Sequence, residues 1–178
     1  ADLTITVNGA NDAPENLPRV LDSADGSGLS PRFGLTETVV VNPLAGETDM
    51  VTQIGGDATT SFADFFGPNF NSLADFDLAP GDTLSFSAEL LSSLNSGASN
   101  ARLQLRFYAD VNNDGNLQFG AGSEFANRVE AYSGFADLSN TTSFQTLSVD
   151  TVIPATDGAG NPITHFEFGL TLPQTGED

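Results

Sequence analysis

The sequence predicts an all-β protein, specifically a two-sheet antiparallel β-sandwich with one or two short helical turns. Three observations indicate this fold: strict alternation of apolar and polar residues in short segments, turn sequences between them, and little helical periodicity. Alternation at period two places one face of a strand in a core and the other in solvent. Many short strands without intervening helices favour a sandwich over α/β layers.

Eight segments carry the strand pattern. Apolar and polar residues alternate most regularly where Leu3, Leu84 and Leu103 begin their segments. The predicted strands are residues 3–7, 38–42, 50–54, 84–90, 103–109, 127–132, 144–150 and 163–172. Turn sequences such as NPLAGE, APGD, NNDG, SNTT and DGAGNP separate most of them.

Two segments depart from this pattern. Residues 61–77 carry five phenylalanines and a leucine at spacings typical of a helix, which predicts one or two helical turns broken at Gly67 and Pro68. We expect these turns to close one end of the sandwich, with the phenylalanines in the core. Residues 17–35 are rich in Gly, Pro, Ser and Asp and predict a long loop, which in a compact domain is usually functional or mobile.

The charge balance excludes two classes of partner. The chain has 24 acidic residues, 5 basic residues and a net charge of −19, whereas nucleic acid and anionic lipid surfaces require a basic patch. At 39% apolar residues with 14 phenylalanines, the 178-residue chain has enough apolar side chains for a core. No segment approaches the ~18 consecutive apolar residues of a membrane span.

The same charge predicts a bound cation. A compact fold with this net charge repels itself, and the absence of cysteine excludes disulfides and zinc-thiolate sites. Calcium would relieve the repulsion, because it binds the oxygen ligands that Asp and Asn supply. Alternatively, the acidic residues only keep the surface soluble.

The first fourteen residues resemble a module junction. The sequence LTITVNGANDAP is similar to the last strand of the cadherin-like repeats, including the VCBS type, of large bacterial RTX adhesins exported by type I secretion. The resemblance implies a junction at residues 1–14, a module at residues 15–178 and calcium ligands at Asn11 and Asp12. The alternative is an Asx turn capped by Pro14. The chain begins within a strand, so we expect it to be a piece of a longer polypeptide.

The clearest metal-site pattern follows the strand at residues 103–109. Oxygen-bearing residues stand at the first, third, fifth and seventh positions of a calcium loop, with Gly115 at the sixth: these are Asp110, Asn112, Asp114 and Asn116. The usual twelfth-position glutamate is replaced by Ala121, although Glu124 could substitute through a different loop path. The alternative is a plain hairpin turn, for which Asn113, Asp114 and Gly115 are also suited.

Other acidic loops give weaker signals. Asp22 and Asp25, with the glycines around them, form a second calcium candidate, while residues 157–161 favour a simple loop. Residues 76–84 resemble DFD-x-x-x-GD-x-L segments of type I secreted proteins, which supports the same cellular context.

The core resembles a second family. Residues 100–172 are similar in strand pattern to jelly-roll carbohydrate-binding modules, which implies a jelly-roll-like binding module without fixing its ligand. Tyr108 and Tyr132 are the candidate ligand-binding aromatics, since the chain has no tryptophan. The alternative is that both are half-buried sheet residues. Calcium bridging of sugar hydroxyls is therefore expected to outweigh stacking.

The sequence favours a non-enzymatic role. His165 is the single histidine, it lies on the predicted polar face of a strand, and the motifs GxSxG and HExxH are absent. We expect a monomeric, extracellular, calcium-dependent module of a bacterial cell-surface adhesin that binds a surface glycan and adjoins neighbouring repeats of the same polypeptide. The alternative is a calcium-rigidified extender without a ligand.

Overall fold

The computed structural model describes residues 3–8, 19–24, 30, 31, 35–41, 44, 46, 50–56, 62–66, 71–92, 101–115, 117 and 124–173. Within these residues the elements are β1 (Leu3–Asn8), β2 (Arg19–Ala24), β3 (Ser30–Pro31), β4 (Leu35–Val41), β5 (Met50–Gly56), β6 (Phe62–Phe66), β7 (Asn71–Ser72), a 3-10 helix (Leu73–Phe76), β8 (Thr83–Leu90), β9 (Arg102–Tyr108), β10 (Val129–Tyr132), β11 (Gln145–Val152) and β12 (His165–Pro173). No helix in these ranges has the length and apolar character needed to span a membrane.

The strands form two main antiparallel sheets, which confirms the predicted all-β sandwich. A four-stranded sheet has the order β11-β8-β1-β2, and a six-stranded sheet has the order β10-β9-β12-β6-β3, with β7 also paired to β12. Strands β4 and β5 form a separate hairpin. The alternating sequence therefore folds as expected, with non-consecutive strands as neighbours in both sheets.

The core lies between the two main sheets. The ring centroids of Phe86, on β8, and Phe168, on β12, are 5.2 Å apart and join the sheets directly. The same apolar cluster includes Leu84, Val149, Leu103, Leu105, Phe107, Phe166 and Leu170. Alternate residues of the predicted strands thus face inward, as period-two patterning requires.

The segment at residues 61–77 corrects the sequence prediction. Residues Phe62–Phe66 form β6, which pairs with β12 and β3, and in the described part of the segment only Leu73–Phe76 form a helical turn. The predicted break at Gly67 and Pro68 lies outside the described residues. The ring of Phe76 packs edge-on against Phe166 at 5.7 Å, so the helical part does contribute to the core. The prediction of a helix from the spacing of the phenylalanines was wrong at residues 62–66. Aromatic residues also form strands readily when a sheet edge is available for pairing.

The prediction of one long loop at residues 17–35 is also wrong in part. Strand β2 occupies Arg19–Ala24 and pairs with β1, while β3 occupies Ser30–Pro31 and pairs with β6. Asp22 lies in β2 opposite Ile5. Strand pairing therefore overrides the turn-forming composition of this segment.

Strand β1 belongs to the four-stranded sheet. It lies between β2 and β8, and its residues from Thr4 to Asn8 pair with Thr83–Ser87 of β8. The division between residues 1–14 and 15–178 stays a prediction, because residues 9–18 lie outside the described ranges.

The outer face of the six-stranded sheet differs from the expectation of a solvated polar face. Every residue of β9 from Leu103 to Tyr108 is buried, and so is Glu167 on β12. The polar side chains on this face bind one another: Thr171 Oγ1 donates a 2.6 Å hydrogen bond to Gln104 Oε1. The alternating pattern correctly predicted which residues point to the outer face of the sheet. These polar side chains are buried there because they hydrogen-bond to one another.

Candidate functional site

The loop that follows β9 is held against the start of β12. The backbone N–H of Asp110 donates to Thr164 Oγ1 at 2.9 Å, and the backbone N–H of Thr164 donates to the carbonyl of Tyr108, also at 2.9 Å. Because β9 and β12 pair from Arg102 to Tyr108, this loop begins on a rigid part of the sheet.

The loop curls around its own acidic side chains. The carboxylate of Asp110 accepts backbone hydrogen bonds from Asp114 at 3.3 Å and from Gly115 at 2.8 Å. The amide oxygen of Asn112 accepts another from the backbone of Asp114 at 3.1 Å, and its Nδ2 donates to Asp114 Oδ2 at 3.0 Å. Side-chain oxygens from the predicted first, third and fifth positions therefore lie on the inside of one tight turn.

Two positive φ angles make this turn possible. Asn113 has φ 54° and Gly115 has φ 77°, both in the left-handed region. Asparagine tolerates this region better than most residues, and glycine enters it freely. The N-N-D-G sequence is thus what allows the chain to reverse here.

Glu124, which lies a few residues before β10, contacts the same loop. Its Oε1 accepts a 2.8 Å hydrogen bond from the backbone N–H of Val111, and the residue is only 7% exposed. The neighbouring Phe125 ring packs on Tyr108 with centroids 4.8 Å apart, which holds this segment against the end of β9. The structure thus places Asp110, Asn112 and Asp114 in one turn and Glu124 against its backbone at Val111, while Asn116 lies outside the described residues.

The donor set of this loop consists of hard oxygen atoms. Two carboxylates and one amide come from the loop itself, and such groups suit Ca²⁺. At least one oxygen of each group already accepts a hydrogen bond. A carboxylate oxygen still has a second lone pair for an ion. Across the described ranges, no three His, Cys, Asp or Glu side chains form a group that could hold a metal ion. The loop fits calcium only with its amide and backbone oxygens included.

Of the ligands predicted outside this loop, Asp22 alone lies among the described residues. Asn11, Asp12 and Asp25 lie outside the described residues, so their predicted roles stay predictions. Asp22 lies on β2, at the edge of the four-stranded sheet, whereas the Asp110 loop extends the six-stranded sheet.

The loop at residues 157–161 forms a closed turn, in agreement with the simple loop expected there. Asp157 is 6% exposed, and its Oδ1 accepts 2.8 Å hydrogen bonds from the backbones of Ala159 and Asn161. Its Oδ2 accepts from Asn161 Nδ2 at 3.0 Å. Desolvation by itself would raise the pKa of Asp157, but these hydrogen bonds outweigh it and lower the pKa.

Tyr108 is not a surface aromatic, and this prediction is wrong. Its side chain is 0% exposed and donates a 2.7 Å hydrogen bond to Glu167 Oε2. A ring enclosed in this way has no face available to a surface ligand. The alternation of β9 placed it on the outer face correctly, but the segment carrying Phe125 covers it.

Tyr132 does lie at the surface, and it has neighbours that the sequence did not indicate. The residue is 37% exposed, its hydroxyl donates to Glu130 Oε2 and it accepts a 3.1 Å hydrogen bond from Gln104 Nε2. The guanidinium carbon of Arg102 lies 3.5 Å from its ring centroid and 5.1 Å from that of Phe135. Sequence reasoning did not identify Arg102 or Phe135 as functional residues. Arg102 could have been noticed because basic residues are rare in this chain, but no sequence feature distinguishes Phe135.

His165 is half-buried at the start of β12. Its Nδ1 lies 2.8 Å from Thr164 Oγ1, the hydroxyl that also accepts from Asp110. The ring therefore contacts a hydroxyl that anchors the acidic loop, and a non-enzymatic role stays a prediction.

Comparisons with known proteins add nothing to the fold described above. The resemblances to cadherin-like adhesin repeats and to jelly-roll carbohydrate-binding modules remain predictions. No family model, curated protein or solved structure matches this chain.

Proposed function

We propose that this chain is a calcium-stabilised, extracellular β-sandwich module of a bacterial surface adhesin, and that its function is to bind a ligand. The observation that carries the calcium part is the tight turn within which the side chains of Asp110, Asn112 and Asp114 hydrogen-bond, with Glu124 bound to the backbone of the same loop at Val111. The bacterial adhesin context depends on the resemblance of residues 1–14 to a module junction.

Charge supports calcium over a plain turn. The chain carries a net charge of −19, and this turn brings together two carboxylates, from Asp110 and Asp114, with Glu124 bound to the neighbouring backbone at Val111. A bound divalent cation would neutralise much of that local repulsion, which a hairpin turn leaves in place. Bound calcium would supply electrostatic cross-linking among these residues, while the loop residues supply the ligands.

The position of the loop suggests what this cross-link stabilises. Through Thr164 the loop contacts the start of β12, and through Glu124 it contacts the segment that leads to β10. An ion held here would tie three neighbouring parts of the six-stranded sheet together. We therefore expect calcium to raise the melting temperature of the whole domain rather than to order a single loop.

The ligand-binding part is supported at a different place. Tyr132 and Phe135 are 37% and 57% exposed and lie beside Arg102. Exposed aromatic side chains next to a guanidinium are typical of recognition surfaces. An extender module without a ligand would have no use for this arrangement, although it would share the calcium dependence.

The calcium proposal is tested with Asp114→Ala and a charge-matched control, Asp150→Ala, on the exposed face of β11. Extracellular calcium sites have dissociation constants of about 0.1–1 mM. At a hundred times such a value, calcium adds about 2.7 kcal/mol to the free energy of unfolding. Thermal unfolding in calcium and in chelator should show this gain in the parent and in Asp150→Ala, and should show most of it lost in Asp114→Ala.

The opposite results are equally specific. A melting temperature that does not change between calcium and chelator contradicts calcium binding altogether. Destabilisation of Asp114→Ala by the same amount in both conditions assigns Asp114 to the turn and not to an ion.

A further inference from the structure

The start of β9 pairs irregularly with the chain after β10. The backbone N–H of Ser133 donates to the carbonyl of Leu103 at 3.0 Å, and that of Ala136 donates to Ala101 at 2.7 Å. Ser133 Oγ accepts the backbone N–H of Leu103 at 2.9 Å. Between these two hydrogen bonds the chain advances three residues on the 133–136 side but only two on the 101–103 side. The extra residue places Phe135 beside Arg102.

The aromatic contacts fix the plane of the Arg102 guanidinium. Its carbon lies 3.5 Å from the ring centroid of Tyr132 and 5.1 Å from that of Phe135. Contacts of this kind use the flat faces of the guanidinium. Its N–H groups point outward in the plane and can still donate hydrogen bonds. Two exposed rings therefore present one oriented, forked donor.

No described residue accepts a hydrogen bond from this guanidinium. Its Nε atom is buried without a partner, while the side chain as a whole is partly exposed. The carboxylate of Glu130, which accepts from the hydroxyl of Tyr132, serves other donors, because its Oε1 lies 2.5 Å from Arg128 Nε and 3.3 Å from Arg106 Nε. In a chain with 24 acidic and 5 basic residues, an arginine without a carboxylate partner among the described residues is unexpected.

The ring of Tyr132 is held in place before any ligand arrives. Its hydroxyl donates to Glu130 and accepts from Gln104 Nε2 at 3.1 Å, and Gln104 is itself fully buried and bound to Thr171. Binding to a preorganised group costs less ordering entropy than binding to a mobile one. This surface therefore has a rigid part, Tyr132, and an oriented charge, Arg102.

We propose that Arg102, Tyr132 and Phe135 form a subsite for a hexuronic acid unit of an acidic glycan. The planar, two-oxygen carboxylate matches the guanidinium fork, with which it forms parallel hydrogen bonds. The C–H face of the sugar ring packs on the exposed ring of Phe135. This inference rests on the proposed ligand-binding role and names its ligand class.

The backbone argues against a peptide carboxyl terminus at the same place. Capture of a chain terminus commonly uses a nest of free backbone N–H groups. Here the N–H groups of Ser133, Ala136 and Leu103 already have acceptors. The guanidinium is thus the charged donor at this place, and three of the neighbouring N–H groups are already occupied.

This subsite lies far from the calcium loop. Arg102 begins β9 and Asp110 follows its end, so eight residue steps at ~3.3 Å separate them by about 26 Å. A calcium ion in the loop cannot bridge a sugar bound at Arg102, contrary to the expectation of bridged hydroxyls. Calcium and ligand act at opposite ends of one strand.

The experiment is a calorimetric titration of the full chain, in calcium, with a tetrasaccharide of alternating glucuronic acid and N-acetylglucosamine. The control probe is the same tetrasaccharide with its carboxyl groups reduced to hydroxymethyl groups. We expect binding of the acidic probe and at least tenfold weaker binding of the reduced one. Arg102→Gln should weaken binding of the acidic probe at least tenfold, and Arg102→Lys severalfold, because lysine keeps the charge but loses the fork.

A second variant keeps the test valid if Arg102→Gln unfolds. Phe135→Ala removes a side chain that is 57% exposed, and Val152→Ala is its matched control, since Val152 is equally exposed on β11 of the other sheet. We expect severalfold weaker binding for Phe135→Ala and unchanged binding for Val152→Ala.

Several outcomes overturn the inference. Equal binding of the reduced probe, or unchanged binding by the Arg102 and Phe135 variants, excludes a carboxylate subsite here. Tighter binding of a short peptide that depends on its free carboxyl terminus assigns the surface to peptides. The calcium proposal is judged separately, because the melting-temperature gain in calcium does not depend on Arg102.

Discussion

Tyr108 and Glu167 meet across β9 and β12 in a fully enclosed polar contact of the described sheet face. The phenol donates a 2.7 Å hydrogen bond to Glu167 Oε2, and the two residues are 0% and 1% exposed. Burial of a carboxylate is costly unless donors surround it, so this hydrogen bond is part of what makes the buried face possible.

Removing the phenol hydroxyl should therefore destabilise the domain. Tyr108→Phe deprives the buried Glu167 carboxylate of a donor, and we expect a loss of about 1–3 kcal/mol in the free energy of unfolding. Urea denaturation measures it. The control Ser148→Ala removes a hydroxyl from the exposed side of β11 and should change stability by no more than about 0.5 kcal/mol. Equal effects in the two variants would contradict a role for the Tyr108–Glu167 contact.

The two tyrosines should resist ionisation in alkali. Desolvation raises the pKa of Tyr108 far above its usual value, and the charge and hydrogen bond of Glu167 add to the increase, while Arg106 opposes it. Desolvation and the Glu130 hydrogen bond also raise the pKa of Tyr132. The chain has two tyrosines and no tryptophan, so phenolate absorbance reports these two residues alone.

In that titration we expect little phenolate near pH 10.0, the usual tyrosine pKa, and a late step that coincides with unfolding. A raised folded-state pKa gives stability that is complete below the unfolded pKa and is lost as the pH rises above it. Tyr132→Phe isolates the step due to Tyr108. Half-ionisation of this variant near pH 10.0, with the fold intact, would show that Tyr108 is not buried as described.

Glu130 should make the domain sensitive to acid. Desolvation favours a higher pKa, but hydrogen bonds from Tyr132 and Arg128, with the charges of Arg128 and Arg106, lower the pKa below the usual 4.5. A lowered folded-state pKa gives stability that is present above the unfolded pKa and is lost as the pH falls.

Glu130→Gln tests this directly. At pH 7 we expect the variant to be less stable than the parent by about 1 kcal/mol, discounted for partial exposure. Below pH 4.5 the difference should shrink, because the parent carboxylate becomes protonated as well. Chemical denaturation at a series of pH values measures the difference, and one that stays constant down to full acid unfolding would refute the assignment.

Asp157 should stabilise the domain without any ion. Its buried carboxylate accepts hydrogen bonds from Ala159 and Asn161, and Asp157→Ala leaves those donors without it. We expect a loss of about 1–3 kcal/mol, equal in calcium and in chelator. Thermal unfolding in both conditions gives the comparison with Asp114→Ala. A loss confined to calcium would make Asp157 a metal ligand after all.

The sequence predicted features that depend on local order. Alternation located β1, β8 and β9 within a residue or two, because the side chains of a strand alternate between faces whatever the strand pairs with. The Asp110 loop was predicted for a similar reason, since its oxygens and Gly115 lie within a few residues of one another. Its calcium affinity stays a prediction.

Features that depend on distant pairing were not predicted. Phe62–Phe66 became a strand because β12 and β3 offered edges, which no local pattern reveals. Alternation placed Tyr108 on the outer face but could not show that Phe125 covers it. Arg102 meets Phe135 only through the antiparallel return of the chain after β10, 33 residues later in sequence.

Strand β9 also distributes charge unevenly along its length. The guanidinium group of Arg102 lies at its first residue, whereas Arg106 and Arg128 lie near its last residues, because β10 begins opposite the end of β9. The carboxylates of Asp110 and Asp114 follow directly after the strand. Arg106 and Arg128 therefore offset part of the negative charge at that end of β9, while the positive charge of Arg102 lies at the other end. An anionic ligand would meet less repulsion at Arg102 than at the acidic loop, although the net charge of the chain is −19.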